Sequence, residues 1–312
     1  MASDARTGSR PVWLDMKVRL VVHVARAKRW ILLPAIVAAG AVVVTPRLLK
    51  RAFAPPQPPP DESPADLGLP EERVHLESVN GTLLHGWYIP VDGSAPGVVV
   101  LHGWGSNSAL MLPLAPHLHA AGFHVLFIDA RNHGLSEHDS FSSMPRFAED
   151  LEVAAEWLRA RPEVTAVGVI GHSVGAGAAI LAASRGDLLD AVVSVSSFAH
   201  PGEMMRRQMD RMPRPARFMI LEAVQWMIGF RFDDIAPRKR IAHVEVPVML
   251  VHGDADDVVP ITAMHELSAA DPAAERLTVP GGGHSDLAPF EPFVGEILDF
   301  LKRHLTASDG RA

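Results

Sequence analysis

Val169-Ile170-Gly171-His172-Ser173-Val174-Gly175-Ala176-Gly177-Ala178-Ala179 is the stretch from which the rest of the chain can be read. An apolar run over 167–170 reads as a buried strand, and it breaks at Gly171 into small residues that can begin a helix at once. Ser173 therefore falls at a strand-to-helix turn of the form G-x-S-x-G, a nucleophile elbow. In such a turn the serine backbone is strained, and the flanking glycines let neighbouring backbone come close. The turn pushes the hydroxyl out past the sheet edge. The helix that follows aims its free N-terminal N–H groups, that of Val174 among them, at the same place, where they favour a developing oxyanion. In a chain with 24 glycines the pattern alone is permissive, and its position between a strand and a helix is what makes it informative.

Outward from the elbow the pattern alternates. Residues 73–79 and 82–89 read as a strand pair around the Asn80-Gly81 turn signal. Further strands are predicted over 97–101, 124–129, 191–195, 246–251 and 276–279, with helices over 108–121, 146–161 and 292–305. Such alternation predicts an α/β fold, a mostly parallel sheet with helices on both faces and an antiparallel hairpin at one edge. One interval interrupts it. Residues 198–245 hold a basic, Met-rich part (204–212) and a nearly all-apolar helix (218–230), which together read as a small helical cap over the site. The competing reading is an ordinary helical excursion whose methionines pack on the body.

A serine hydroxyl is a poor nucleophile until a base takes its proton, and the base needs a carboxylate to fix its tautomer and stabilise the imidazolium. Both belong in loops at the carboxyl ends of later strands, where open α/β sheets bind ligands. After 246–251 comes His252-Gly253-Asp254-Ala255-Asp256-Asp257-Val258-Val259-Pro260, with three carboxylates to choose from. After the last strand comes Pro280-Gly281-Gly282-Gly283-His284-Ser285-Asp286, whose glycines free the loop to return His284 over the sheet. The chain order of serine, acid and histidine is that of the α/β-hydrolases.

On these motifs, residues 73–305 resemble a serine hydrolase of the α/β-hydrolase superfamily. The resemblance implies an eight-stranded sheet and a catalytic triad of Ser173, Asp256 and His284. Asp256 is singled out because His252-Gly253 through Val259-Pro260 matches the family's H-G-x-x-D-x-x-V-P, which leaves Asp254 and Asp257 as loop acids. Likewise His102-Gly103-Trp104 matches the family's His-Gly loop, which implies that the backbone N–H of Trp104 joins that of Val174 in an oxyanion hole. Asp129-Ala130-Arg131-Asn132-His133-Gly134-Leu135-Ser136 resembles the D-x-R-x-x-G-x-S turn that shapes the floor of the site. His133 and His172 are then structural, with His172 pointing away from the serine.

Composition bounds the rest. At 312 residues, 48% of them apolar, the chain can bury a large core. It has no cysteine, hence no disulfide and no thiolate nucleophile, and its 16 histidines show no metal-ligand spacing, so neither a metal nor another cofactor is expected. Residues 1–60 carry ten Lys/Arg and two acids, so the remainder carries −15 of formal charge and the whole −7. A body this acidic is not expected to bind nucleic acid. Nothing in the sequence sets an oligomeric state.

The basic N-terminus frames an uncharged run at 30–44. A helix of that length rises about 22 Å against a hydrocarbon core of about 30 Å, a gap that flanking Lys and Arg can bridge by snorkelling. It reads as a single-pass membrane anchor with the body on the non-cytoplasmic side. The alternatives are a signal peptide cleaved at Ala52-Phe53-Ala54, giving a secreted protein, and a buried or peripheral amphipathic helix. The expected organisation is a basic segment and anchor (1–53), a Pro-rich linker (54–70), a hydrolase domain (71–307) with the cap inserted at 198–245, and a tail (308–312). The expected reaction is hydrolysis of a small-molecule carboxylic ester or acyl substrate, lipid esters included. A thioesterase, amidase or peptidase would use the same residues, and a scaffold without catalysis is the reading from another class.

Overall fold

Strand β3 (Ala95–Leu101) sends Val98 and Val100 into one apolar cluster and Val99 and Leu101 into another, because successive strand side chains point to opposite faces. A strand with both faces apolar has to be covered on both. In the computed structural model, residues 50–51, 54–286 and 288–306 are described, and the chain divides into units of residues 1–52 and 53–312, of which the second forms the fold below. The expected anchor at 30–44, the Ala52-Phe53 part of the cleavage signal and the tail at 308–312 lie outside the described residues. Among the described residues no helix is long and apolar enough to cross a membrane.

The other strands are β1 (Glu72–Glu77), β2 (Leu83–Ile89), β4 (His124–Ile128), β5 (Val164–His172), β6 (Ala191–Val195), β7 (Val248–Gly253) and β8 (Glu275–Val279). They form one eight-stranded sheet in the order β1-β2-β4-β3-β5-β6-β7-β8. β2 runs antiparallel to both β1 and β4, and all other pairs are parallel. The hairpin signal holds: Asn80 and Gly81 both have positive φ, 68° and 73°, as a primed turn requires.

One face is covered by α2 (Met144–Arg159), α3 (Val174–Ala183) and α8 (Thr262–Ala270), and the other by α1 (Ala115–Ala120) and α9 (Val294–Leu305). The chain leaves β3 toward one face and β5 toward the other. The crevice between these two neighbouring strands is thus a topological switch point, the place where open α/β sheets take up ligands.

Two expectations need correction. The single helix expected at 108–121 is a 3₁₀ segment, Ser108–Leu114, followed by the short α1, because Pro113 has no N–H to donate and interrupts a continuous α-helix. The helix expected from 292 begins as α9 at Val294, behind a 3₁₀ segment that contains Pro292. Hydrogen bonds run from the Pro-rich stretch to the body of the fold. The Gln57 side chain donates to the carbonyls of Gly134 and Ser136 at 3.2 and 2.8 Å, and Asn107 donates to that of Pro58 at 3.0 Å. Residues 57 and 58 are thereby tied to the loops that follow β4 and β3.

The segment after β6 holds α4 (Pro201–Gln208), α5 (Arg214–Ile228), α6 (Phe232–Ile235) and α7 (Pro237–Arg240). Its methionines divide. Met204 packs on the main core, Met205 and Met209 pack around Leu221, Val224 and Phe232, and Met212 is exposed.

Candidate active site

The elbow is built by close packing. Ser173 follows β5 with φ 56° and ψ −114°, a conformation in the sparsely populated positive-φ region that costs a non-glycine residue about 1–3 kcal/mol. It holds because a Cβ on Gly171 would run into the Gly175 carbonyl, and one on Gly175 would sit 2.5 Å from the His102 carbonyl oxygen. With glycine at both places the chain can turn against the end of β3. The Ser173 N–H donates to the Val195 carbonyl at 2.8 Å, fastening the turn to β6.

Three side chains converge there. His284 Nε2 lies 3.0 Å from Ser173 Oγ, and His284 Nδ1 lies 2.8 Å from Asp256 Oδ2. An ionised carboxylate only accepts, so Nδ1–H donates to Asp256 and Nε2 is left to accept the serine proton. The Asp256 carboxylate is fully buried, and its other oxygen accepts from the backbone N–H groups of Val258 and Val259 at 3.0 and 2.7 Å. Burial alone would push this carboxyl up, but the His284 and Val259 hydrogen bonds outweigh it and hold it below the usual carboxylate range. Asp254 does something else: it accepts from the Gly281 N–H at 2.7 Å and shapes the histidine loop. Asp257 stays exposed.

The acid and histidine loops meet because backbone crosses backbone. A Cβ on Gly253 would collide with the Gly282 carbonyl, and the Ala255 N–H donates to that same carbonyl at 3.1 Å.

The loop after β3 approaches from the other side of the crevice. A Cβ on Gly103 would fall 3.1 Å from Ser173 Cβ, which places Trp104 one residue from the serine's wall. Val174 is the first residue of α3, and the N–H groups of a helix's first turn have no intrahelical partner. Val174 thus follows Ser173 directly, and Trp104 follows the glycine that packs against it.

Two histidines act where the sequence offered little signal. His102 Nδ1–H donates to the Gly103 carbonyl at 2.7 Å, and its Nε2 accepts from the Ala130 N–H at 3.1 Å, bracing the Trp104 loop against the turn after β4. His172 Nε2–H donates to the His284 carbonyl at 2.7 Å. Burial pushes His172 down to about 4, and burial with the nearby His102 pushes His133 down to about 3, so both are neutral at neutral pH. His133 packs edge-on to Trp104 and Phe147 and does not reach the serine hydroxyl.

The turn at 129–136 forms the floor. Asp129 accepts from the Ser108 and Leu135 N–H groups at 2.7 and 2.9 Å. The Arg131 side chain is completely buried and reaches Asp150 at 2.6 Å and Asp139 at 3.0 Å. A cavity of about 540 Å³ opens between α4, α5 and α6, lined among others by His200, Phe218, Leu221 and Arg238, and neither Ser173 nor His284 lines it. Among the described residues no group of His, Asp or Glu side chains is disposed to hold a metal ion.

Sheet order, elbow and converging loops define the class, a protein of the α/β-hydrolase fold. The comparisons agree. Residues 96–236 match the alpha/beta hydrolase fold family model. An uncharacterized protein of Mycobacterium tuberculosis is 31% identical over 288 residues, covering 90% of this chain and 95% of its own length. This chain thus belongs to the α/β-hydrolase family. It is also similar to a pimeloyl-[acyl-carrier protein] methyl ester esterase of Xanthomonas campestris, 25% identical over 264 residues, covering 70% of this chain and 99% of that protein. Among solved structures an esterase of Pyrococcus furiosus superposes with a TM-score of 0.66 at 24% identity, covering 81% of this chain and 98% of that one.

Proposed function

We propose that the protein is a serine hydrolase that cleaves carboxylic esters of small molecules or acyl chains through an acyl-enzyme on Ser173. The observation that carries this reading is the unbroken relay from Ser173 Oγ through His284 to Asp256, at 3.0 and 2.8 Å, on the strained turn between β5 and α3. In the proposed cycle Oγ attacks the ester carbonyl carbon as its proton passes to His284 Nε2, and the carbonyl electron pair moves onto oxygen. The N–H groups of Trp104 and Val174 stabilise that oxyanion, each worth on the order of 3 kcal/mol. As the intermediate collapses, the ester C–O bond breaks and the imidazolium protonates the departing alkoxide. Water then attacks the acyl-enzyme with the same base, and the serine regains its proton. No cofactor enters the cycle. The methyl ester esterase activity named for the Xanthomonas relative supports an ester over other acyl substrates.

The test is hydrolysis of p-nitrophenyl esters from acetate to palmitate by the protein and by Ser173→Ala, with fluorophosphonate labelling of Ser173. Turnover that disappears in the variant supports the reading. A folded protein that neither turns over an ester nor takes the label would sink it.

We further propose that the apolar run at 30–44 anchors the chain in a membrane with the body on the non-cytoplasmic side, a reading supported by seven Lys/Arg before the run and three after it. Extraction of the native protein by alkaline carbonate, which releases a peripheral or secreted protein but not an anchored one, tests it.

A further inference from the structure

Helix α5 is apolar on the wrong side as well as the right one. Leu221 and Val224 are buried and Ile228 packs beside them, the inward stripe expected of a surface helix. Yet Met219 and Trp226, two turns apart on the opposite face, are each 70% exposed, and Phe218 at the edge of that face is 65% exposed. Large hydrophobic side chains left in water at this density mark a docking surface.

Charge around the helix says what docks. Residues 204–217 hold Arg206, Arg207, Arg211, Arg214 and Arg217 against one acid, Asp210, in a body that otherwise carries a large acidic excess. None of these five arginines has an acidic partner among the described residues, as is also true of Arg240 and Arg276, whereas Arg131, Arg159, Arg185 and Arg303 on the body and Arg238 later in the same segment are paired. Arg214 and Arg217 fall on the inward stripe of α5 and Arg206 lines the cavity beside Glu203 and Glu222, whereas Arg207 on α4 and Arg211 in the loop before α5 are exposed. Unpaired guanidinium groups on the segment that leads into exposed Met and Trp match an interface that is anionic above and hydrocarbon below.

Topology extends the patch. Of the eleven large exposed hydrophobic side chains among the described residues, eight lie on segments that leave the carboxyl ends of parallel strands, Trp104, Leu135 and Val258 among them. The linker enters at that edge too, because residues 57 and 58 are held by the loops after β4 and β3.

We propose that the outward face of α5, with the exposed Arg207 and Arg211 that precede it, docks on an anionic lipid bilayer, with the edge of the sheet that carries Ser173 turned toward it. Met219 and Trp226 enter the acyl boundary while the arginines contact headgroup phosphates. The inference concerns binding and does not depend on the reaction assigned to Ser173.

The chain's lack of cysteine makes a direct test available. In the full-length protein Met219→Cys carries an environment-sensitive fluorophore, and Glu296→Cys, exposed on α9, carries it as a control. Each is mixed with phosphatidylcholine vesicles, with and without phosphatidylglycerol, containing a lipid-borne quencher. The expected result is a blue shift and quenching at position 219 only, only with phosphatidylglycerol, and weakening as salt is added. In the Met219→Cys background, Arg207→Gln and Arg211→Gln are each expected to lower the docked-to-free ratio about fivefold. Because the label reports insertion of the cap itself, tethering by the N-terminal segment alone leaves position 219 in water and overturns the proposal. Equal insertion into phosphatidylcholine overturns the role of the arginines. A blue shift without vesicles overturns it as well, the face being covered by a second copy if the shift grows with protein concentration and by the chain's own apolar segment if it does not.

Discussion

His172 Nε2 donates a 2.7 Å hydrogen bond to the backbone carbonyl of His284, so the residue just before the serine holds the loop that carries its base. The two rings lie 5.1 Å apart at 45°. The sequence marks His172 only as a histidine to set aside, and it does point away from the hydroxyl. Its work is on the main chain of a loop rich in glycine, which would otherwise not hold an imidazole 3.0 Å from a hydroxyl.

On the proposed mechanism, His172→Ala leaves Ser173, Asp256 and His284 in place but frees the loop. A misplacement of about 1 Å is enough for a roughly 100-fold loss of rate. The loss is expected in kcat, with KM nearly unchanged, in steady-state kinetics on a p-nitrophenyl ester.

The three carboxylates of the acid loop differ in consequence. Asp256→Asn is expected to lower kcat by about 10⁴-fold, because the histidine then takes the wrong tautomer. Asp254→Asn and Asp257→Asn should stay within a few-fold of the parent. Parallel kinetics on the three variants separate these outcomes.

Ser173 stores strain that glycine would not. Ser173→Gly is expected to abolish hydrolysis while raising stability by about 1–3 kcal/mol. An increase in the midpoint of denaturant unfolding, alongside lost activity, checks both halves.

Acid should destabilise the protein well before its carboxylates protonate. In the unfolded chain His133 and His172 titrate near 6.5, but in the fold they titrate near 3 and 4. Between pH 6.5 and 4 the unfolded state therefore binds protons that the folded state refuses, and stability falls as pH falls, by up to about 2.7 kcal/mol per pH unit for the pair. Burial of His102 and His252 acts in the same direction. Unfolding free energies measured at about pH 7 and about pH 5 should show the drop.

Arg131 and Asp150 are each completely buried and meet at 2.6 Å. Arg131→Met leaves the Asp150 carboxylate without its main partner and is expected to cost about 3–5 kcal/mol, while the double variant with Asp150→Leu costs less than the sum of the two single changes. A double-mutant cycle in urea measures the difference.

The element types, the sheet's parallel character and the opening hairpin were legible because strand and helix periods and the Asn80-Gly81 signal are local. The elbow was legible for the same reason, its strain and its glycines lying within five residues. Proline reset two helix boundaries, at Pro113 and Pro292, where one missing N–H outweighs a favourable pattern.

The sequence by itself placed Ser173, the three acids of 254–257 and His284 at the ends of β5, β7 and β8, and the family resemblance singled out Asp256 and Trp104. Only the tertiary structure decided the rest. It sets Asp256 2.8 Å from His284 and gives Asp254 the Gly281 N–H. Gln57 ties a proline-rich stretch to loops nearly 80 residues away, and the five arginines of 206–217 have no ion-pair partner among the described residues. Periodicity reports which face of an element is apolar. It does not report what that face, or a charge beside it, will meet, because the partners come from segments distant in the chain that folding alone brings together.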